Sequence, residues 1–443
     1  MLREAHRLFG TDGIRGVANT ALTPEFAVAL GRASGELLDF GPVVVGRDTR
    51  RSGEMLSTAL QAGFHAVGVD TLDAGVLPSP GIAHATANSG AMMGVVISAS
   101  HNPAPDNGIK LLGAAGFKLA DAEEDRVEAR LRRGAPWRTP VGPGVGSRFV
   151  HADAAEAYMQ SVVQAADHTF RGMEFVLDTA NGAAFKTAPE IFRRLKASVD
   201  VTAADPDGMN INDGVGATHP EALAKSARGR VGFAFDGDAD RLIAIDENGI
   251  SANGDVVMAI LARHMKERNG LANNLVVTTV MANLGFHKAM RNLGIDVIST
   301  AVGDRYVLES MKEHGAVLGG EQSGHILLLD TATTGDGTLT AVKLADVMAS
   351  TGKELRELRA EVITEFPQIL RNVRVADASG LAGADLLWAA VADVERELGD
   401  DGRVLVRASG TEPVVRVMVE AAEKSVALSK TEELIAVVRA AFA

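Results

Sequence analysis

Short runs of β-branched and aliphatic residues recur along the chain, at 43–45, 95–97, 176–177, 275–280 and 404–406, with longer amphipathic stretches between them. Strand-length apolar runs alternating with helix-length stretches predict α/β units rather than a bundle or an all-β sandwich. The stretch from Pro24 illustrates the helical half of the pattern. Thr23 can cap, Pro24 suits a first turn, and Phe26, Leu30, Ala33 and Leu37 fall on one face, which should be buried.

A chain of 443 residues exceeds what one hydrophobic core supports, so several domains surrounding a shared cleft are expected. Glycines and prolines crowd 133–147, including Gly134, Pro136, Pro140, Gly142 and Pro143, and interrupt any regular element. The turn pair Asn248-Gly249 and the segment before and after Pro367 mark two further breaks. The expected division is 1–147, 148–252, 253–367 and 368–443: three similar α/β domains with mixed sheets, then a smaller α+β domain.

Charge and composition remove several function classes. With 46% hydrophobic and 23% charged residues the chain reads as an ordinary globular protein. A net charge of -13 disfavours a broad nucleic-acid contact. There is no cysteine, which excludes disulfides, thiolate nucleophiles and cysteine-ligated metals. The first residues turn charged at once, unlike a signal peptide, and no run of about 18 apolar residues could span a membrane. A cytoplasmic protein is expected.

Four loops carry chemistry. Ser98-Ala99-Ser100-His101-Asn102-Pro103 follows a strand-like run, at the position where α/β proteins place ligands, yet it lacks the Gly-x-Ser-x-Gly elbow of an acyl-transfer nucleophile. Alone it reads better as a capping or turn element. Asp236-Gly237-Asp238-Ala239-Asp240-Arg241 puts carboxylates at every second residue, and their mutual repulsion calls for a hard cation such as Mg²⁺. A calcium EF-hand loop is the competitor, and Glu247 stands at its twelfth position. However, Arg241 occupies the place of the required glycine, and a strand follows.

In Gly319-Gly320-Glu321-Gln322-Ser323-Gly324-His325, Glu321 and Ser323 can bond the vicinal hydroxyls of a sugar, although a tight turn with a surface carboxylate fits the same residues. In Arg407-Ala408-Ser409-Gly410-Thr411-Glu412-Pro413, with Arg416 just beyond, two hydroxyls, a glycine and two guanidiniums suit a phosphate dianion. A fifth piece, Phe9-Gly10-Thr11-Asp12-Gly13-Ile14-Arg15-Gly16, adds the cation Arg15.

Taken in order, these loops resemble the α-D-phosphohexomutase superfamily from Phe9 to Arg416. The resemblance implies that Ser100, rather than Ser98, carries a phosphoryl group and must be phosphorylated for activity. It also implies that Asp236, Asp238, Asp240 and the Ser100 phosphate hold one Mg²⁺. By the same resemblance Glu321, Ser323 and His325 contact the sugar, Arg407, Ser409, Gly410, Thr411 and Arg416 bind its phosphate, and Lys110 is the active-site lysine. Gly-Thr-Asp-Gly-Ile-Arg-Gly, Gly-Glu-Gln-Ser-Gly-His and Thr334-Gly335-Asp336-Gly337-Thr338 look most like the bacterial branch that interconverts glucosamine 6-phosphate and glucosamine 1-phosphate and feeds amino-sugar nucleotide and cell-wall precursor synthesis. Phosphomannomutases and phosphoglucomutases share all four loops.

In this chemistry phosphoserine donates to the free sugar hydroxyl and yields a 1,6-bisphosphate, which turns over before Ser100 takes back the other phosphate. Expected partners are therefore the hexosamine phosphate and its bisphosphate, with no nucleic acid and no membrane; a homodimer is a further expectation. Lys110, His101 and Arg15 are all candidates to accept the attacking hydroxyl's proton, and a serine-dependent sugar phosphatase is the rival from another enzyme class.

Overall fold

The computed structural model describes residues 7–38, 41–409 and 413–442. Their contacts divide the chain into two compact units, Met1–Met281 with Asp296–Glu361, and Ala282–Ile295 with Val362–Ala443.

The first unit holds three mixed sheets. One comprises β1 (Ile14–Val17), β2 (Val43–Arg47), β3 (Thr71–Val76), β4 (Met93–Ile97), β5 (Asp106–Gly113) and β6 (Arg148–Val150), in the order β1-β5-β4-β2-β3-β6. Strands β4, β2, β3 and β6 run parallel, and only β5 is reversed, lying antiparallel to both β4 and β1. Val43, Val45, Val95 and Ile97 are fully buried, as a parallel sheet covered by helices requires. The helix Pro24–Glu36 starts as expected, with Thr23 accepting the Phe26 N–H at 3.2 Å, and it buries Ala27, Leu30 and Ala33. Although β6 follows the glycine- and proline-rich segment, it pairs with β3 and extends the first sheet.

The second sheet comprises β7 (Glu174–Asp178), β8 (Ser198–Thr202), β9 (Val231–Phe235), β10 (Leu242–Ile245) and β11 (Ser251–Ala252), ordered β11-β10-β9-β7-β8. Phe175 on β7 and Phe233 on β9 stack, and Phe170 and Phe192 pack against them edge-on or tilted, with ring centroids 5.2–6.1 Å apart. The third comprises β12 (Leu275–Thr279), β13 (Asp296–Thr300), β14 (Leu318–Gly320) and β15 (Ile326–Leu328), ordered β13-β12-β14-β15.

All three sheets share one device. A buried parallel strand leads into a loop, and the chain returns antiparallel beside it, as β4 to β5, β9 to β10 and β14 to β15. The three loops predicted to carry chemistry in this unit are these three reversals. A loop there starts from a rigid, fully buried strand and ends on another, which limits how far its side chains can stray.

The second unit is smaller. Its sheet of β16 (Gln368–Arg374), β17 (Gly402–Ala408) and β18 (Val414–Ala421) is antiparallel throughout, ordered β16-β18-β17. Val415, Val417 and Val419 pack against Val391 and Val394 of the helix Asp385–Leu398 and Leu434 and Val438 of the helix Lys424–Ala441. The helix Leu284–Leu293 belongs to this unit: its first N–H donates to Glu420 at 3.1 Å, and Arg403 reaches the Ala282 carbonyl at 2.8 Å.

Candidate active site

Ser100 follows β4 in the left-handed region, at φ +52°, and is 1% exposed. Its Oγ donates to Asp236 Oδ2 at 2.5 Å and lies 3.3 Å from His101 Nδ1. Ser98, the other hydroxyl of this loop, is fully buried: its Oγ accepts the Ser100 N–H at 2.9 Å and donates to Asp48 at 2.6 Å. Of the two serines, Ser100 is the one whose hydroxyl meets the aspartates of the second loop.

Asp236, Asp238 and Asp240 are all buried, and one carboxylate oxygen from each lies within 4.8 Å of the others. Asp238 Oδ2 accepts from Ser79 Oγ at 2.6 Å and from Lys110 Nζ at 3.1 Å. The other oxygen of Asp238 and Oδ1 of Asp240 are buried without a hydrogen-bond partner. Burial first, then repulsion by Asp240 and Asp238, pushes the Asp236 carboxyl well above the usual carboxylate range. Burial opposes the charge on Asp240 too, yet Lys110 and then His325 hold it well below that range. Buried hard oxygens with unspent lone pairs and an unrelieved repulsion suit a divalent cation.

Lys110 comes from β5. Besides Asp238, its Nζ lies 3.3 Å from Asp12 and 3.5 Å from Asp240, so burial, which works against an ammonium, is overcome by three carboxylates that raise its pKa well above the ordinary value. Arg15, on β1, pairs with Asp12 and reaches Asn102 Oδ1 at 3.3 Å, which places its guanidinium beside the serine loop. His101 is pushed down to about 4 by burial and then by Arg241 and Arg15.

The third loop adjoins the second. His325 is 4% exposed; its Nδ1 stands 3.7 Å from Asp240, and although burial works against its charge, Asp240 raises it to about 9. Glu321 accepts the Gly303 N–H at 3.1 Å, and Ser323 is exposed. Two glycines permit this closeness. A Cβ on Gly254 would lie 2.0 Å from the Glu321 carbonyl oxygen, and one on Gly337 would lie 2.2 Å from that of Arg241.

In the second unit, Arg407 on β17 and Arg416 on β18 are direct cross-strand partners. Each has a buried Nε without a hydrogen-bond partner, and burial followed by the charge of Arg416 lowers the Arg407 pKa. Two guanidiniums opposed, with no carboxylate paired to either among the described residues, suit an anion. The Ser409 N–H donates to the Val414 carbonyl at 2.8 Å, whereas Gly410 and Thr411 lie outside the described residues.

Sequence reasoning missed Asp12, Ser79 and Lys118, which with Lys110 and Asp304 build the charge lattice around the aspartates. It also missed Asp48, although the charged residues just after the apolar run of β2 mimic the pattern that singled out Ser100 after β4.

Four family profiles match in succession: the phosphoglucomutase/phosphomannomutase α/β/α domains I, II and III over 6–136, 156–249 and 253–366, and the C-terminal domain over 370–437. The phosphoglucosamine mutase of Halalkalibacterium halodurans is 49% identical over 97% of this chain and 95% of its own, and that of Streptomyces coelicolor is 50% identical over 94% and 95%. A crystal structure of a phosphoglucomutase/phosphomannomutase family protein from Burkholderia thailandensis superposes with a TM-score of 0.83 at 26% identity, covering 98% of this chain and 97% of that one.

Proposed function

The chain belongs to the phosphoglucomutase/phosphomannomutase family, the α-D-phosphohexomutases, and from that premise we propose that it interconverts glucosamine 6-phosphate and glucosamine 1-phosphate through a phosphorylated Ser100. It is an intramolecular phosphotransferase. The observation that carries this reading is the buried Ser100 Oγ, 2.5 Å from one carboxylate of a three-aspartate cluster. Glucosamine as the sugar rests on the relatives near 50% identity.

Asp236, Asp238 and Asp240 would hold the cation, which we take to be Mg²⁺ and which, when bound, neutralises charge on the transferring phosphoryl group. Phosphoryl transfer breaks the P–O bond to Ser100 Oγ as the sugar hydroxyl forms its own, and the hydroxyl proton would pass to His101, whose Nδ1 lies 3.3 Å from Ser100 Oγ and whose ring burial keeps neutral. The resulting 1,6-bisphosphate turns over, and Ser100 Oγ takes the other phosphate. Lys110, ion-paired to three carboxylates, acts as a cation that steadies negative charge rather than as the proton acceptor. Arg15, which reaches Asn102 Oδ1 at 3.3 Å, adds positive charge beside the serine loop.

Glu321 and Ser323 would orient the sugar, with His325 ordering their loop against Asp240. Arg407, Ser409, Gly410, Thr411 and Arg416 would hold the phosphate that is not reacting. Because both phosphates visit Ser100 in turn, this cradle must accept the substrate in two orientations.

The four-domain division at 147, 252 and 367 is kept as a proposal, with β6 reaching back to the first sheet. None of the described helices is long and apolar enough to cross a membrane. A cytoplasmic location and a homodimer are proposed; fractionation and light scattering test them.

Two measurements test the reading. Intact mass is expected to find one phosphate on Ser100, and kcat/KM is expected to favour glucosamine phosphate over glucose and mannose phosphates. Release of inorganic phosphate faster than isomerisation would make the protein a phosphatase instead.

A further inference from the structure

Ser100 sits in the left-handed backbone region, which is unfavourable for an L-residue with a side chain, so something must hold it there. Arg50 begins the helix that follows β2, and its side chain is fully buried. All five of its side-chain N–H groups are engaged, and four of them reach carbonyls of the reversal from β4 into β5, three in the serine loop and one on Asp106 at the start of β5. Nη2 donates to Ser100 O at 3.0 Å and Asn102 O at 2.7 Å; Nη1 donates to Asp106 O at 3.0 Å and to Pro103 O. Nε donates to Asp48 Oδ2 at 2.9 Å.

The circuit then closes on Ser100 itself. Asp48 Oδ2 also accepts from Ser98 Oγ, and Ser98 Oγ accepts the Ser100 N–H. Asn212, from the second sheet's loops, adds a donor to Ser100 O at 2.8 Å and to Asn102 O at 3.1 Å. Both backbone polar groups of the reacting residue are therefore pinned, and with them the direction of its side chain. A core arginine that only filled space would have no reason to converge on the carbonyls of one reversal.

We propose that Arg50, acting through Asp48 and Ser98, is a positioning residue that holds Ser100 in its left-handed conformation so that Oγ meets Asp236 in a geometry competent for phosphoryl transfer. This rests on the reading of Ser100 as phosphoryl carrier. No other side chain can replace the fork: lysine keeps the charge beside Asp48 but has three donors on one atom and cannot span four carbonyls.

The test is the single-turnover rate constant for transfer from Ser100-phosphorylated enzyme to glucosamine 6-phosphate. A rate constant, unlike an amplitude, does not depend on how much of a preparation is folded. Arg50→Lys is expected to lower it about 100-fold, and Ser98→Ala, which leaves the guanidinium bonds in place, about tenfold, with KM within about twofold in both. Wild-type rate constants with only the amplitude reduced would overturn the proposal and leave Arg50 a folding residue. If Arg50→Lys does not fold, Ser98→Ala decides by the same criterion. Absence of phosphate from wild-type Ser100 would instead sink the underlying reading, and intact mass separates that outcome before any kinetics are run.

Discussion

Ser100 Oγ donates to Asp236 Oδ2 at 2.5 Å, and this contact joins the end of β4 in the first sheet to the loop after β9 in the second. Two residues 136 positions apart are thus placed with the hydroxyl touching the carboxylate cluster. Ser100→Ala removes one hydroxyl from a loop held by its backbone, so the fold is expected to survive and, if Ser100 is the phosphoryl carrier we propose, turnover to fall by several orders of magnitude. Steady-state isomerisation and circular dichroism check both halves. An active alanine variant would assign the nucleophile elsewhere.

Removing one carboxylate from the triad should have opposite effects with and without metal. Asp236→Asn is expected to weaken Mg²⁺ or Mn²⁺ binding at least tenfold by calorimetry, since a hard cation loses a charged ligand. In chelator the same variant is expected to melt a few degrees higher than wild type, because a carboxyl whose charge is opposed first by burial and then by Asp240 and Asp238 has been replaced by a neutral amide. Equal melting temperatures in chelator would remove the repulsion argument.

Asp336 caps the helix Gly337–Thr351, accepting the Leu339 N–H at 2.9 Å, and accepts the Tyr158 hydroxyl at 3.0 Å. Burial pushes its carboxyl up to about 7 from 3.8. The folded state therefore keeps this proton over a range where the unfolded chain has lost it. Its contribution to stability is fully present below about pH 4 and is lost as pH rises through about 7, a change of a few kcal/mol. Asp336→Asn keeps an acceptor for both donors and cannot ionise. Denaturant melts at pH 5 and pH 8 should give a smaller loss of stability in the variant than in wild type, and equal losses would contradict the shift.

Arg407 and Arg416 face each other across β17 and β18. If they wait for a phosphate, Arg416→Ala removes a charge-assisted contact of roughly 1.5–3 kcal/mol, and KM should rise about ten- to a hundredfold. Ser100 should still be phosphorylated. Stability should hold or improve, since a like-charged cross-strand pair is relieved. A destabilised variant with unchanged KM would make the pair structural.

Much of this was legible in the residue order. The parallel strands are short, largely apolar runs because both their faces are covered, so β2, β4, β9 and β12 announce themselves locally. Thr23 and Pro24 mark a helix start for equally local reasons. The chemistry-bearing loops are legible as polar residues at the ends of such runs, and their sequential order is what carries the resemblance to a family. What tertiary structure alone decides is which loop ends meet. Nothing periodic links Ser100 to Asp236, Ser79 to Asp238, or Arg50 to the carbonyls of 100–106, because these contacts depend on how separate sheets and strand ends are set against each other. The opposition of Arg407 and Arg416 likewise depends on strand register, which the hairpin fixes and composition does not. Burial patterns report the face a residue presents; they carry no record of the distant residue that face will find.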